Sequence, residues 1–162
     1  RSKNIQHSTA SILEASPMSL YRLIYKSTST QALTAELIKS IEGSSNENNV
    51  DLEVTGILIS NKTAFMQVLE GERKNINKVY TKICSDPRHS EIELVSYAAV
   101  SRREFPDWSM KCLSTGIMGR LIADQLKKKF GAEDSDLVLP SDGDKAFALL
   151  FELAFLLKSG EI

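Results

Sequence analysis

The chain is short of the residues that usually announce chemistry. Its two cysteines, Cys84 and Cys112, exclude a disulfide framework and a thiolate metal cage, and they fit a reducing compartment, the cytoplasm. No glycine-rich phosphate loop is present; Gly56 and Gly71 stand alone and serve a strand and a turn. Paired carboxylates at hydrolytic spacing are absent, so metal and hydrolase classes find no support. Neither sign of charge dominates. A formal net charge of −1 leaves no electrostatic footprint for nucleic acid or an acidic membrane. The longest apolar run, AFALLFELAFLL at 146–157, contains Glu152 and falls short of the roughly 20 residues a membrane span requires. Repeats and low-complexity tracts are also missing.

What is present suits one soluble domain with a modest appendage: 162 residues, of which 42% are hydrophobic and 25% charged. Residues 1–17, RSKNIQHSTASILEASP, are polar, lack sustained periodicity and precede Met18, a candidate start. They are read as a leader or remnant outside the fold. The body then occupies 18–112 and a helical extension 113–162. SLYRLIYKS at 19–27 alternates as a strand, with Leu20, Arg22, Ile24 and Lys26 on one face and Tyr21, Leu23, Tyr25 and Ser27 on the other. Leu33, Leu37, Ile38 and Ile41 recur at helical spacing behind a Thr34 cap, and Gly43 with SSNENN slows or ends that helix. LEVTGILIS at 52–60 and AFMQVLE at 64–70 form a hairpin around NKT. Ile76, Val79, Tyr80 and Ile83 stripe a second helix over about 72–85. EIELVSYAAV at 91–100 and FPDWSMKC at 105–112 complete the strands.

The order β-α-β-β-α-β-β predicts an α+β, ferredoxin-like fold with two helices on one face of the sheet. Two tail helices, 118–130 and 144–159, joined by the polar link GAEDSDLVLPSDG, are expected on the other face. The second of these is apolar nearly all round, so it requires burial against that open face or a second copy, and a homo-oligomer is expected.

One residue is hard to place as ordinary core. Gln67 sits in AFMQVLEG on the face of Phe65 and Leu69, and a buried carboxamide left unpaired costs about 1–3 kcal/mol. Tyr25 shares the helix-facing parity of Leu23, Ser45, Asn48 and Asn49 lie at the end of the first helix, and Arg88 and His89 follow the second. Each alone reads as a satisfied core group, a helix end or a solvated loop. Together they surround one groove between the helices, which a flat, polar ligand would satisfy.

LYRLIYKS, NNVDLEVTGILIS, AFMQVLEG, DPRHSEIEL and FPDWSM resemble, in order and spacing, the BLUF family of blue-light sensors that use flavin adenine dinucleotide, over about Ser19–Met110. The resemblance implies FAD held between the two helices by the 18–112 domain. It makes Tyr25 the electron donor to the photoexcited flavin, Gln67 the amide between that phenol and the ring, and Asn49 the residue holding a ring carbonyl and nitrogen. Ile41, Ser45, Asn48, Phe65, Leu69 and Ile83 match positions lining the flavin, and Asp86, Arg88 and His89 match its dimethylbenzene and ribityl end. Trp108 and Met110 match a pair on the last strand that exchanges places near the flavin, with Met110 inward or outward. The implied response is a rearranged hydrogen bond to the ring carbonyl and a small red shift, relayed to a light-dependent protein partner and not to an enzyme of its own. Other readings remain: a colourless ferredoxin-like interaction module, or a flavin redox enzyme, which would oxidise a nicotinamide cofactor but has no fingerprint for one here.

Overall fold

A computed structural model describes residues 19–162; the leader at 1–17, with His7, lies outside the described residues. Strand β1 (Leu20–Ser29) leads to helix α1 (Ala35–Asp51), the hairpin β2 (Thr55–Ser60) and β3 (Ala64–Glu72), helix α2 (Arg73–Cys84), and strands β4 (His89–Ala99) and β5 (Lys111–Ser114). Helix α3 (Arg120–Phe130), a small hairpin of β6 (Ala132–Glu133) and β7 (Asp136–Leu137), and helix α4 (Gly143–Ser159) follow. The main sheet runs β4-β1-β3-β2-β5, antiparallel except for the parallel β2–β5 edge. The expected α+β, ferredoxin-like architecture is therefore the one observed.

Strand alternation sorts the core into two layers. Leu23, Tyr25, Phe65 and Leu69 turn to α1 and α2 with Ile38, Ile41, Ile76 and Val79. Ile24, Ile57, Ile59, Met66 and Val68 turn the other way and meet α3 and α4 through Leu126, Ala146, Leu149, Leu150 and Leu153. Each fully buried leucine on α4 stabilises the fold by about 1.5–3 kcal/mol, so this helix covers the bare sheet face as its composition predicts. Its coverage is one-sided: Phe151 and Phe155 keep 45% and 62% of their surface exposed.

Two local expectations are corrected. Helix α1 passes through Gly43 and the polar run to Asp51, and two polar side chains of the run find partners within the helix. Ser44 Oγ donates to Ile41 O, and Asn46 Nδ2 to Glu42 O. The last strand is Lys111–Ser114, so Phe105, Trp108 and Met110 precede it as irregular chain. The polar link after α3 is docked on the rest of the chain. Asp136 accepts from Lys62 N at 2.7 Å and from Thr115 Oγ1 at 3.1 Å, and Leu137 and Leu139 are buried. No helix among the described residues is long and apolar enough to cross a membrane.

Candidate functional site

A cleft of about 750 Å³ opens between α1 and α2. Thr34 caps α1, its Oγ1 accepting from Leu37 N at 3.1 Å, and the helix then presents Ser45, Asn48 and Asn49 to the cleft. Strand β3 supplies Gln67 from below. Ile83 on α2, with Asp86 and Arg88 beyond it, forms the facing wall.

Beneath the floor lies a buried chain of polar groups. Tyr25 and Gln67 are direct register partners across β1 and β3, and the tyrosine hydroxyl donates to Gln67 Oε1. Gln67 Nε2 donates in turn to Met110 Sδ at 3.1 Å. Tyr25, Gln67 and Met110 are each no more than 2% exposed. Burial is the main cause holding the Tyr25 phenol well above its usual pKa, aided by Cys112 and Asp86, so it stays a neutral donor. The second N–H of Gln67 has no partner among the described residues, and Gln67 lines the cleft.

Asn49, 1% exposed, donates from Nδ2 to Ser109 O at 2.9 Å, and Asn46 donates to Met110 O at 3.1 Å. Helix α1 thereby grips the irregular segment that carries Met110. This segment settles the inward position: Met110 packs with Leu69 and Phe65 under the cleft, while Trp108 is half-buried in the layer facing α4. At the far end, the Arg88 guanidinium holds Asp86 through bonds as short as 2.6 Å, which is the chief reason that carboxyl sits below its ordinary range. His89 bonds Ser27 Oγ at 2.8 Å and packs on the Phe65 ring, 4.9 Å between centroids. Burial is the first cause lowering its pKa, with Arg88 adding to it and Asp86 opposing. Burial likewise pushes the Cys112 thiol up to about 12, leaving it protonated and inert at neutral pH.

The structure therefore brings Ser45, Asn48, Asn49, Gln67, Ile83, Asp86 and Arg88 to the cleft surface. It sets Tyr25, Ile41, Phe65, Leu69 and Met110 in the packed layer below. His89 lies behind Phe65, and Trp108 stands on the opposite side of the sheet. Sequence reasoning missed Lys74, Lys78 and Lys82, which also line the cleft. Their spacing of four along α2 was the available signal.

Comparison with known proteins agrees with this geometry. The family model described as "BLUF: Sensors of blue-light using FAD" matches residues 20–111. The blue light- and temperature-regulated antirepressor BluF of Escherichia coli (strain K12) is 38% identical over 85 residues, 52% of this chain and 21% of that protein. The beta subunit of photoactivated adenylate cyclase of Euglena longa is 27% identical over 126 residues, 74% of this chain and 15% of that one. This chain thus spans about a fifth or less of the curated relatives it matches. Among solved structures, the dark state of BlrB, a BLUF protein, has a TM-score of 0.69 at 31% identity and covers 85% of this chain and 96% of its own. The photo-activated state of BlsA shares the fold at TM-score 0.70 and 23% identity, over 83% and 94% of the two chains. A cleft between two helices floored by a buried phenol and amide, a family match over both, and a near full-length structural likeness lead to one conclusion: the chain belongs to the BLUF family, sensors of blue light using FAD.

Proposed function

We propose that this protein is a blue-light photoreceptor in which Tyr25 and Gln67 carry the photochemistry of an FAD bound between α1 and α2. The observation that supports this most directly is the buried Tyr25–Gln67–Met110 chain, whose middle amide lines the cleft with one hydrogen unpartnered among the described residues. The residues fit a flavin. The cleft offers a slot between two helices, a carboxamide from each side in Gln67 and Asn49, and the apolar Ile83 on one wall. FAD when bound supplies the absorption of blue light and the site that takes up an electron.

The chain's own residues then do the following. Tyr25, a neutral phenol with its proton directed at Gln67 Oε1, gives up an electron and passes that proton along the amide; both return when the charges recombine. Gln67 exchanges donor and acceptor by rotating or tautomerising, with little heavy-atom displacement. In the rotated form its oxygen faces Met110 Sδ, and the thioether contact is lost. A change of one hydrogen bond, about 1 kcal/mol, biases a two-state element without remaking the fold. Met110 and its segment are that element, and Phe105, 5.9 Å from Phe147 in an edge-on pair, carries the bias to α4 and a separate protein partner in the cytoplasm.

Absorption spectra before and after blue light test the reading. The native chain purifies yellow and shifts reversibly to the red. Gln67→Leu and Tyr25→Phe keep the pigment and lose the normal shift, since each removes one link and leaves the cleft's shape. An unchanged shift in either variant, or a colourless native protein, overturns it.

A further inference from the structure

Helix α2 is RKNINKVYTKIC, four cations with no carboxylate. Lys74, Lys78 and Lys82 fall on successive turns of one face, a row of about 12 Å at 1.5 Å per residue. All three line the cleft and are exposed. Among the described residues none of them forms an ion pair. Lys82 Nζ instead donates to Asn48 Oδ1 across the cleft at 3.1 Å, tying α2 to α1.

This arrangement works against the helix. Like charges four residues apart repel, and Lys74 in the first turn opposes the positive end of the helix dipole. Several cations on the other helices do have acidic partners: Asp124 lies beside Arg120 and Lys127, and Glu152 beside Lys129. The cleft departs from the rest of the molecule in sign as well. A chain with a net charge of −1 lines this one opening with Lys74, Lys78, Lys82 and Arg88 against the single carboxylate of Asp86. That carboxylate is already held by Arg88, so the lysine row has no acidic counterpart at the site.

Resting on the reading of the cleft as a flavin site, we propose that the Lys74–Lys78–Lys82 row is an anion subsite that makes this protein select phosphorylated flavins, FMN and FAD, over riboflavin. The isoalloxazine contacts, Gln67 and Asn49, are shared by all three compounds. The phosphate is the group that FMN and FAD share and riboflavin lacks, and the row supplies the cleft's cations that no carboxylate holds. The attraction crosses solvent, so it weakens as salt shortens the screening length from about 10 Å at 0.1 M toward about 3 Å at 1 M.

The test is equilibrium binding of riboflavin, FMN and FAD to the flavin-stripped full chain, followed by flavin fluorescence at low and high salt. It compares the native protein with the triple variant Lys74→Gln, Lys78→Gln, Lys82→Gln. Glutamine matches lysine in helix propensity, and far-UV circular dichroism checks that the variant is folded. The expected result is FMN and FAD bound about tenfold more tightly than riboflavin at low salt, a ratio that contracts at high salt and disappears in the variant, with riboflavin affinity unchanged. Equal binding of all three flavins by the native protein overturns the subsite and leaves the flavin cleft standing. A phosphate preference that survives in the variant overturns the assignment to these lysines. Failure of all three flavins to bind overturns both this proposal and the flavin reading beneath it.

Discussion

Glu70→Gln is a demanding test of how the irregular segment is held. Glu70 is fully buried on the α4-facing side of β3, yet it is ionically and polarly occupied. Its carboxylate accepts from Arg22 Nε at 2.9 Å, from Phe105 N at 2.6 Å, and from Glu104 N at 2.9 and 3.0 Å to its two oxygens. A glutamine amide turned to keep the two backbone bonds places its NH2 against the Arg22 N–H, donor against donor. The Arg22 bond, about 1.5–3 kcal/mol as one to a charged group, is lost, and the backbone bonds fall to neutral strength at about 1 kcal/mol each. Arg22 is 17% exposed and lies 4.6 Å over the Phe147 ring, so it recovers some solvation. The expected net cost is about 3–5 kcal/mol, the range for breaking a buried pair. Urea unfolding followed by far-UV circular dichroism in the dark measures it, and a cycle with Arg22→Met isolates the pair, with an expected coupling of about 1–3 kcal/mol. A cost below about 1 kcal/mol, that of an exposed pair, would show that the 103–105 turn holds its own shape without the carboxylate.

Gly56→Ala is expected to cost more than about 3 kcal/mol, because a Cβ there would sit 1.9 Å from Val68 O in the adjoining strand; a thermal midpoint equal to that of the native chain would refute this. His89 gives a pH dependence. Its folded pKa lies below the ordinary 6.5 through burial, so between those values the unfolded chain binds more protons. Stability from this group is complete above about pH 6.5 and is lost as pH falls toward the folded pKa. Denaturant midpoints between about pH 7.5 and about pH 5.5 should therefore drop in the native protein and drop less in His89→Gln, and equal slopes would count against the assignment.

The fold was legible in the sequence where a periodic pattern and its burial agreed. The parity of β1 put Tyr25 with Leu23 and Ile24 opposite, and both core layers follow that division. Gln67 announced the site because a carboxamide between Phe65 and Leu69 has no place in an apolar strand without a partner. The pattern failed where tertiary contacts replaced local ones. Gly43 and the SSNENN run looked set to slow or end the helix, but Ser44 and Asn46 bond back to helical carbonyls and Asn49 donates to a distant backbone group, Ser109 O. Alternation along β4 is broken by register shifts opposite Tyr25 and between Lys26 and Thr28, and such bulges leave no local signature. The inward position of Met110 was equally hidden, since it depends on where a non-repeating segment crosses the sheet edge.

That segment, residues 103–110, reaches both layers, Phe105 in one and Met110 in the other. A ladder strand is held by a repeating set of backbone bonds that form and break together. This one is held singly: by Glu70 at residues 104 and 105, by Gly56 N at Trp108 O, and by Asn49 at Ser109 and Asn46 at Met110, with Glu42 accepting from Cys112 N where β5 begins. Each such bond contributes about 0.5–1.5 kcal/mol, so one can be exchanged while its neighbours hold, which a cooperative ladder does not allow. Three of the holding side chains, Glu42, Asn46 and Asn49, stand on α1, the wall of the cleft, and Gln67 reaches the same segment through Met110 Sδ. In the proposed mechanism a rearrangement at Gln67 would act on a stretch of chain anchored to the cleft wall at one end and to the α4-facing core at the other, through Phe105 and Phe147. On that proposal, the short reach of a single amide would extend between the two faces of the sheet because residues 103–110 belong to neither ladder nor helix.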